Sequence, residues 1–160
     1  MAINAGGNDG GWNAASVDER LSAWGISSIE LIVLSSDSYR QAGGLEALAS
    51  RVPVGTILLP GGTAIRSNVQ DCLVYKASGF LPMGAFALNL IGTAESQYIP
   101  CVNGNGFTVV DLCGIPPLTA MLALEAGVDC DILIVDTSYT NAPITYGRLC
   151  NTLAPQLVLL

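Results

Sequence analysis

The sequence predicts an α/β fold, and three kinds of observation carry that prediction. Short runs such as Ile29-Glu30-Leu31-Ile32-Val33-Leu34 and Asp131-Ile132-Leu133-Ile134-Val135 are apolar on both faces, as strands inside a covered sheet are. Segments between such runs repeat apolar residues at helical spacing. The length, 160 residues, and the hydrophobic content, 51%, suit one domain. A domain of this size buries roughly 68–70% of its unfolded surface, so it needs no disulfide or metal to hold a core.

Taken in order, Ser16 to Trp24 reads as a helix. Ser16 and Glu19 have capping-box spacing, Val17, Leu21 and Trp24 share a face, and Gly25 is a stop. The strand Ile29 to Leu34 follows, then a polar loop from Ser35 to Gln41. After Gly43-Gly44 comes a second helix with Leu45, Leu48 and Val52 inward, ended by Pro53. Thr56 to Leu59 is the next strand, closed by Pro60-Gly61-Gly62. Cys72 to Tyr75, Phe86 to Ile91 and Phe107 to Leu112 read as strands joined by Gly-rich turns. Pro116-Pro117 opens a third helix, lined by Leu118, Met121, Leu122 and Leu124 and ended by Gly127. Asp131 to Val135 is a strand with Ile132 and Ile134 expected inside. Tyr146, Leu149, Cys150 and Leu153 mark a fourth helix, stopped by Pro155, and Leu157 to Leu160 is a last strand. No repeat or linker divides the chain, so residues 1–160 read as a single domain.

Composition narrows the function. Charged residues are only 12% and the net charge is −7. Arg20, Arg40, Arg51, Arg66, Lys76 and Arg148 are scattered, whereas nucleic-acid binding needs clustered cations against phosphates. Direct nucleic-acid binding is therefore not expected. Cys72, Cys101, Cys113, Cys130 and Cys150 are widely spaced, with no C-x-x-C pair, and read as small buried apolar groups. Met1 to Gly11 is Gly-rich, polar and not basic, and is not expected to be a signal peptide. The longest uncharged stretch, Ala77 to Ala94, contains Pro82, Asn89 and several glycines and reads as loop plus strand, not a membrane span.

The chain has no histidine, so Ser-His and Cys-His relays are excluded. It has no P-loop, no G-x-G-x-x-G fingerprint and no G-x-S-x-G elbow.

One segment is informative: Leu34-Ser35-Ser36-Asp37-Ser38-Tyr39-Arg40-Gln41-Ala42-Gly43-Gly44-Leu45. A helix, Gly25-Ile26, a buried strand, this loop and the Gly43-Gly44-Leu45 start of a helix together resemble the metallo-β-lactamase fold. They are most similar to the C-terminal domain of ComEC-type competence proteins. Arg51-Val52-Pro53-Val54 leading to Ile57-Leu58-Leu59-Pro60-Gly61 adds to the resemblance. So do the strand Asp131 to Val135 and Ala154-Pro155-Gln156-Leu157-Val158. The likeness is anchored at residues 14–62 and 128–160. It implies an α/β, metallo-β-lactamase-like αββα sandwich.

In that family the loop carries Ser-His-x-Asp-x-Asp-His, and a later strand delivers His-His-Gly. Transferred by resemblance, Ser36 stands for the first His, Ser38 for the first Asp, Arg40 for the second Asp and Gln41 for the last His. Thr137 and Ser138 stand for the later His pair, Asn4 stands where the family has Asp, and Asp111 matches the metal-bridging Asp. The zinc of active relatives needs His, Cys or carboxylate donors, so no metal or other cofactor is expected here. Arg40 either pairs with Asp37 or Asp111 in the cation's place or is solvated at the surface.

The resemblance also implies an opening strand pair before Ala2-Ile3-Asn4-Ala5 and further chain after Leu160, so the domain is expected to be incomplete at one or both ends. An exposed edge would then favour an edge-mediated homo-oligomer. The reading this supports is a catalytically inactive domain with a structural or interaction role linked to DNA uptake. Its expected partners are other domains of a membrane DNA-uptake protein. It would be membrane-associated as part of such a protein and cytoplasmic otherwise. Two other readings stand beside it. One is a metal-dependent hydrolase with an atypical site from Asp111, Cys113, Cys130 and Asp136. The other is a small-molecule-binding α/β module with ligand at Pro60-Gly61-Gly62 or Gly43-Gly44.

Overall fold

The two-sided apolar runs become parallel strands and the amphipathic segments become the helices beside them. The computed structural model describes residues 1–7, 13–60, 69, 73–76, 79–124, 128–136, 138 and 143–160. The chain divides into two compact units, Met1–Ala77 and Ser78–Leu160. No helix among the described residues is long and apolar enough to cross a membrane.

The first unit contains β1 (Ala2–Ile3), α1 (Ala14–Ala23), β2 (Ile29–Val33), α2 (Tyr39–Ala42), α3 (Leu45–Ala49), β3 (Val54–Leu59) and β4 (Leu73–Lys76). The strands lie in the order β1-β2-β3-β4, all parallel. Ile32 pairs with Ile57 and Val33 with Leu58. Leu31 and Val33 are buried, as the apolar run predicts. Ile32, Leu34, Leu45, Leu48, Ile57 and Leu59 form the core, with Val17 and Leu21 of α1 packed against it.

The second unit contains β5 (Gly79–Met83), β6 (Phe86–Gly92), β7 (Tyr98–Gly104), β8 (Phe107–Asp111), α4 (Pro117–Ala123), β9 (Ile132–Ile134), α5 (Pro143–Leu153) and β10 (Leu157–Leu159). Its sheet runs β10-β9-β8-β7-β6-β5. β5 to β8 are antiparallel, and β8, β9 and β10 are parallel. Ile99, Cys101, Val110 and Leu133 face a core completed by Ala120, Leu124, Leu149 and Leu153.

Several expectations need correction. α1 starts at Ala14 and is capped by Asn13, whose side chain accepts from Ala15 N at 2.9 Å. Asparagine is a strong N-cap, and Ser16 therefore lies inside the first turn. Trp24, expected on the inner face, is 73% exposed because the helix has ended there. The loop from Ser35 to Gln41 ends in a short helix, α2. On α4 the inner stripe is Pro117, Ala120, Met121 and Leu124, a helical i, i+3, i+4, i+7 set. Leu118 and Leu122 fall on the next face, and Leu122 is 76% exposed. In β9 it is Leu133 that is fully buried, pointing to the helix-covered core, while Ile132 and Ile134 point the other way and are half-buried. Strands β5 and β7 were not anticipated. Gly61-Gly62 and Cys72 lie outside the described residues.

Candidate functional site

The loop that follows β2 is held by neutral hydrogen bonds. Asn4 adopts φ 60°, a left-handed conformation that asparagine tolerates better than most residues. Its backbone N–H donates to Val33 O at 2.7 Å. Its Oδ1 accepts from both the N–H and the hydroxyl of Ser35, each at 2.9 Å. One side chain thus ties the N-terminal segment to the end of β2.

One turn further on, Gln41 gathers the hydroxyls. Its Oε1 accepts from Ser36 Oγ at 3.4 Å and from Ser38 Oγ. Ser36 Oγ in turn accepts from Ser38 N–H at 3.2 Å. The N-terminal segment laces onto the same helix: Ala5 N–H donates to Gln41 O, and Gly44 N–H to Gly6 O, both at 2.7 Å. A Cβ on Gly7 would lie 2.1 Å from Tyr39 O, so only glycine permits this approach. Ser35, Ser36 and Gln41 are buried.

Of the residues transferred by resemblance, the first unit brings Asn4, Ser36, Ser38 and Gln41 to this loop. Arg40 is exposed on α2. Neutral hydroxyls and an amide, already bonded to one another, do not match the imidazole, thiolate and carboxylate donors that zinc selects. The loop does not fit the metal of the fold.

The second unit holds a cluster at the C-terminal ends of two adjacent parallel strands. Asp111 ends β8 opposite Ile134, and Asp136 lies just past β9. Asp111 Oδ1 accepts from Cys113 N–H at 2.8 Å. Asp136 accepts from Gly114 N–H at 3.3 Å and Ser138 N–H at 2.8 Å. Its backbone carbonyl accepts from Tyr146 OH at 2.8 Å. Burial raises the Asp111 carboxyl above its ordinary value, and the Asp136 charge adds to this, against the lowering effect of the Cys113 hydrogen bonds. Burial, with Asp111 and Asp136, pushes the Cys113 thiol up to about 12. Such a thiol is not a nucleophile at neutral pH.

Cys130 does not join this cluster. It precedes the far end of β9 and sits in the core with Cys101, whose thiol burial pushes up to about 12. Among the described residues no set of three His, Cys, Asp or Glu side chains is placed to hold a metal ion. Ser138 is exposed, and Thr137 lies outside the described residues.

At the suggested ligand turn Gly43 is exposed and Gly44 buried, and a Cβ on Gly43 would meet Tyr39 O at 2.4 Å. A cleft of about 540 Å³ does lie in the second unit, lined by Thr108, Asp129, Asp131, Thr152 and Gln156 among others. The sequence offered no sign of it, because its walls come from three separate segments. Three of its polar groups engage one another: Asp131 accepts from Thr108 N–H and from Gln156 Nε2, each at 2.7 Å.

The Asp111 carboxyl makes a pH prediction. A carboxyl raised in the folded state contributes stability that is present below its unfolded value, 3.8. That contribution is lost as pH rises through the raised value. Asp111→Asn keeps an acceptor for Cys113 N–H without a buried charge. Urea melts across the acidic to neutral range should show Asp111→Asn more stable than the wild type at neutral pH, with a flatter pH profile. Equal profiles would remove the buried-charge account.

Neither a family model nor a curated protein matches the chain. Solved structures do. A subclass B3 metallo-β-lactamase, MEM-A1, from a soil metagenome library aligns with TM-score 0.54 at 16% identity, over 95% of this chain and 84% of that chain. A HARLDQ-motif metallo-β-lactamase variant from Cronobacter sakazakii aligns with TM-score 0.62 at 16% identity, over 93% and 72%. The metallo-β-lactamase fold protein YhfI from Bacillus subtilis aligns with TM-score 0.59 at 14% identity, over 99% and 74%. At these identities the likeness is one of architecture, and the chain has the metallo-β-lactamase fold.

Proposed function

We propose that this chain is a metallo-β-lactamase-fold domain without metal-dependent hydrolase activity, serving a structural or interaction role and related to the ComEC-type DNA-uptake proteins. The observation that carries the reading is the loop after β2. Where active members of the fold present imidazoles and carboxylates, Ser36, Ser38 and Gln41 bond to one another. Asn4, Arg40, Asp111, Thr137 and Ser138 complete the set of ligand positions transferred by resemblance, and of these only Asp111 keeps a carboxylate. The ComEC relation rests on residue order, chiefly Ser35 to Leu45 and the segments around Pro60 and Pro155.

Gln41 alone would not decide the matter. The Cronobacter neighbour is named for a HARLDQ motif, which also ends in Gln, whereas Ser36 to Gln41 here reads Ser-Asp-Ser-Tyr-Arg-Gln. The losses at Ser36, Ser38 and Arg40 weigh more, because they remove His and Asp donors.

The test is elemental analysis after dialysis against zinc or manganese, together with assays for phosphodiester and β-lactam hydrolysis. The expected result is less than stoichiometric metal and no turnover above the buffer. One or two tightly held metals per chain would overturn the proposal and favour the atypical site around Asp111 and Asp136. In parallel, DNA binding should be no tighter than about micromolar at physiological salt, as expected for a chain with no basic cluster.

A further inference from the structure

The sheet of the second unit has two edges, β10 and β5. Open edges pair with other strands unless something blocks them. β5 contains Pro82, and on an edge strand a proline has its missing donor on the outer side. β10 has no such block. Leu157, Val158 and Leu159 are all exposed, and no charged side chain occurs between Leu149 and Leu160.

The bonds to β9 decide which groups of β10 point outward. Leu157 N–H donates to Asp131 O, and Leu159 O accepts from Val135 N–H, both at 3.0 Å. With Leu157 opposite Ile132 and Leu159 opposite Ile134, the backbone groups of Leu157 and Leu159 are turned to β9. Backbone groups alternate sides along a strand. The N–H and C=O of Val158 are therefore turned to the open edge.

We propose that a second copy of this chain occupies that edge, the two β10 strands pairing antiparallel about a two-fold axis at Val158. In an antiparallel ladder, two residues directly opposite exchange both N–H···O bonds. Val158 facing its own copy satisfies its donor and its acceptor together, so the edge is self-complementary in the way an isologous contact requires. The same register sets Leu157 of one copy beside Leu159 of the other, as apolar cross-strand pairs. Charge favours this edge as well. The chain carries −7, and approach through its acidic surfaces is repelled, while this strip brings no like-charged side chains together.

The experiment is sedimentation of the 160-residue chain over a wide concentration range. Wild type should show a monomer–dimer equilibrium. Val158→Pro removes the outward donor and leaves both bonds to β9, and Leu159→Lys places charge on the edge. Each should weaken dimerisation roughly tenfold or more, a change of about 1.4 kcal/mol, with circular dichroism unchanged. Phe107→Lys, on another exposed apolar position, should leave the dimer intact. In wild type, exchange of the Val158 amide should slow as concentration rises, a readout that needs no variant to fold. A wild type that stays monomeric, a dimer that survives Val158→Pro, or one dissolved by Phe107→Lys overturns the proposal.

Discussion

Replacing Asn4 with alanine should destabilise the first unit by about 3 kcal/mol, combining two lost hydrogen bonds at roughly 0.5–1.5 kcal/mol each with about 1–2 kcal/mol of left-handed strain. Asn4 is the acceptor for both the N–H and the hydroxyl of Ser35, a residue only 1% exposed. Alanine cannot accept either bond, and at φ 60° its Cβ crowds the following carbonyl. Against a typical margin of about 5–15 kcal/mol, the loss is a large share. Urea melts of three variants separate the contributions. Asn4→Asp keeps an acceptor and a tolerated φ and should lose least. Asn4→Gly relieves the strain but not the lost bonds and should fall between. Asn4→Ala should lose most. If all three melt with the wild type, Asn4 does not hold the loop.

Gly7→Ala should be as damaging, about 3 kcal/mol, at the upper end of the range for overpacking. The added methyl would lie 2.1 Å from Tyr39 O, 2.9 Å from Tyr39 C and 3.0 Å from Arg40 Cα. These are backbone atoms, so no rotamer change relieves the clash. The N-terminal segment must move off α2, breaking the bonds from Ala5 N–H to Gln41 O and from Gly44 N–H to Gly6 O. Amide exchange should therefore quicken at Ala5 and Gly44 together. Gly147→Ala is the control. A Cβ there meets nothing within 4 Å, and alanine in α5 should stabilise by about 0.5–1 kcal/mol. Equal melting of Gly7→Ala and wild type would mean that the segment does not depend on this close approach.

Much of the architecture was legible because burial on both faces writes itself into a run of residues. Ile29 to Leu34 and Thr56 to Leu59 are strands for that reason, and the periodic Leu149, Cys150 and Leu153 form the inner side of α5. β5 and β7 were not legible. Each contains a proline, Pro82 and Pro100, a residue that argues against a strand when read alone, and their pairing with β6 is a long-range decision. The stripe of α4 was misread because leucines occur on two of its faces, and only packing selects Ala120 and Leu124 over Leu118 and Leu122.

The sequence by itself determined which chemistry this chain lacks. Without histidine, the fold's usual metal ligands and the common acid–base relays have no source, whatever the conformation. Tertiary structure alone decided which of the remaining side chains meet. Asn4 meets Ser35 across 31 positions of sequence, and Gly7 meets the carbonyl of Tyr39. Neither contact leaves a local pattern, because both exist only once β1 has paired with β2 and brought the N-terminal segment over α2. The same holds for Asp111 and Asp136, which register between β8 and β9 sets side by side while Cys130 is carried to the other end of the strand.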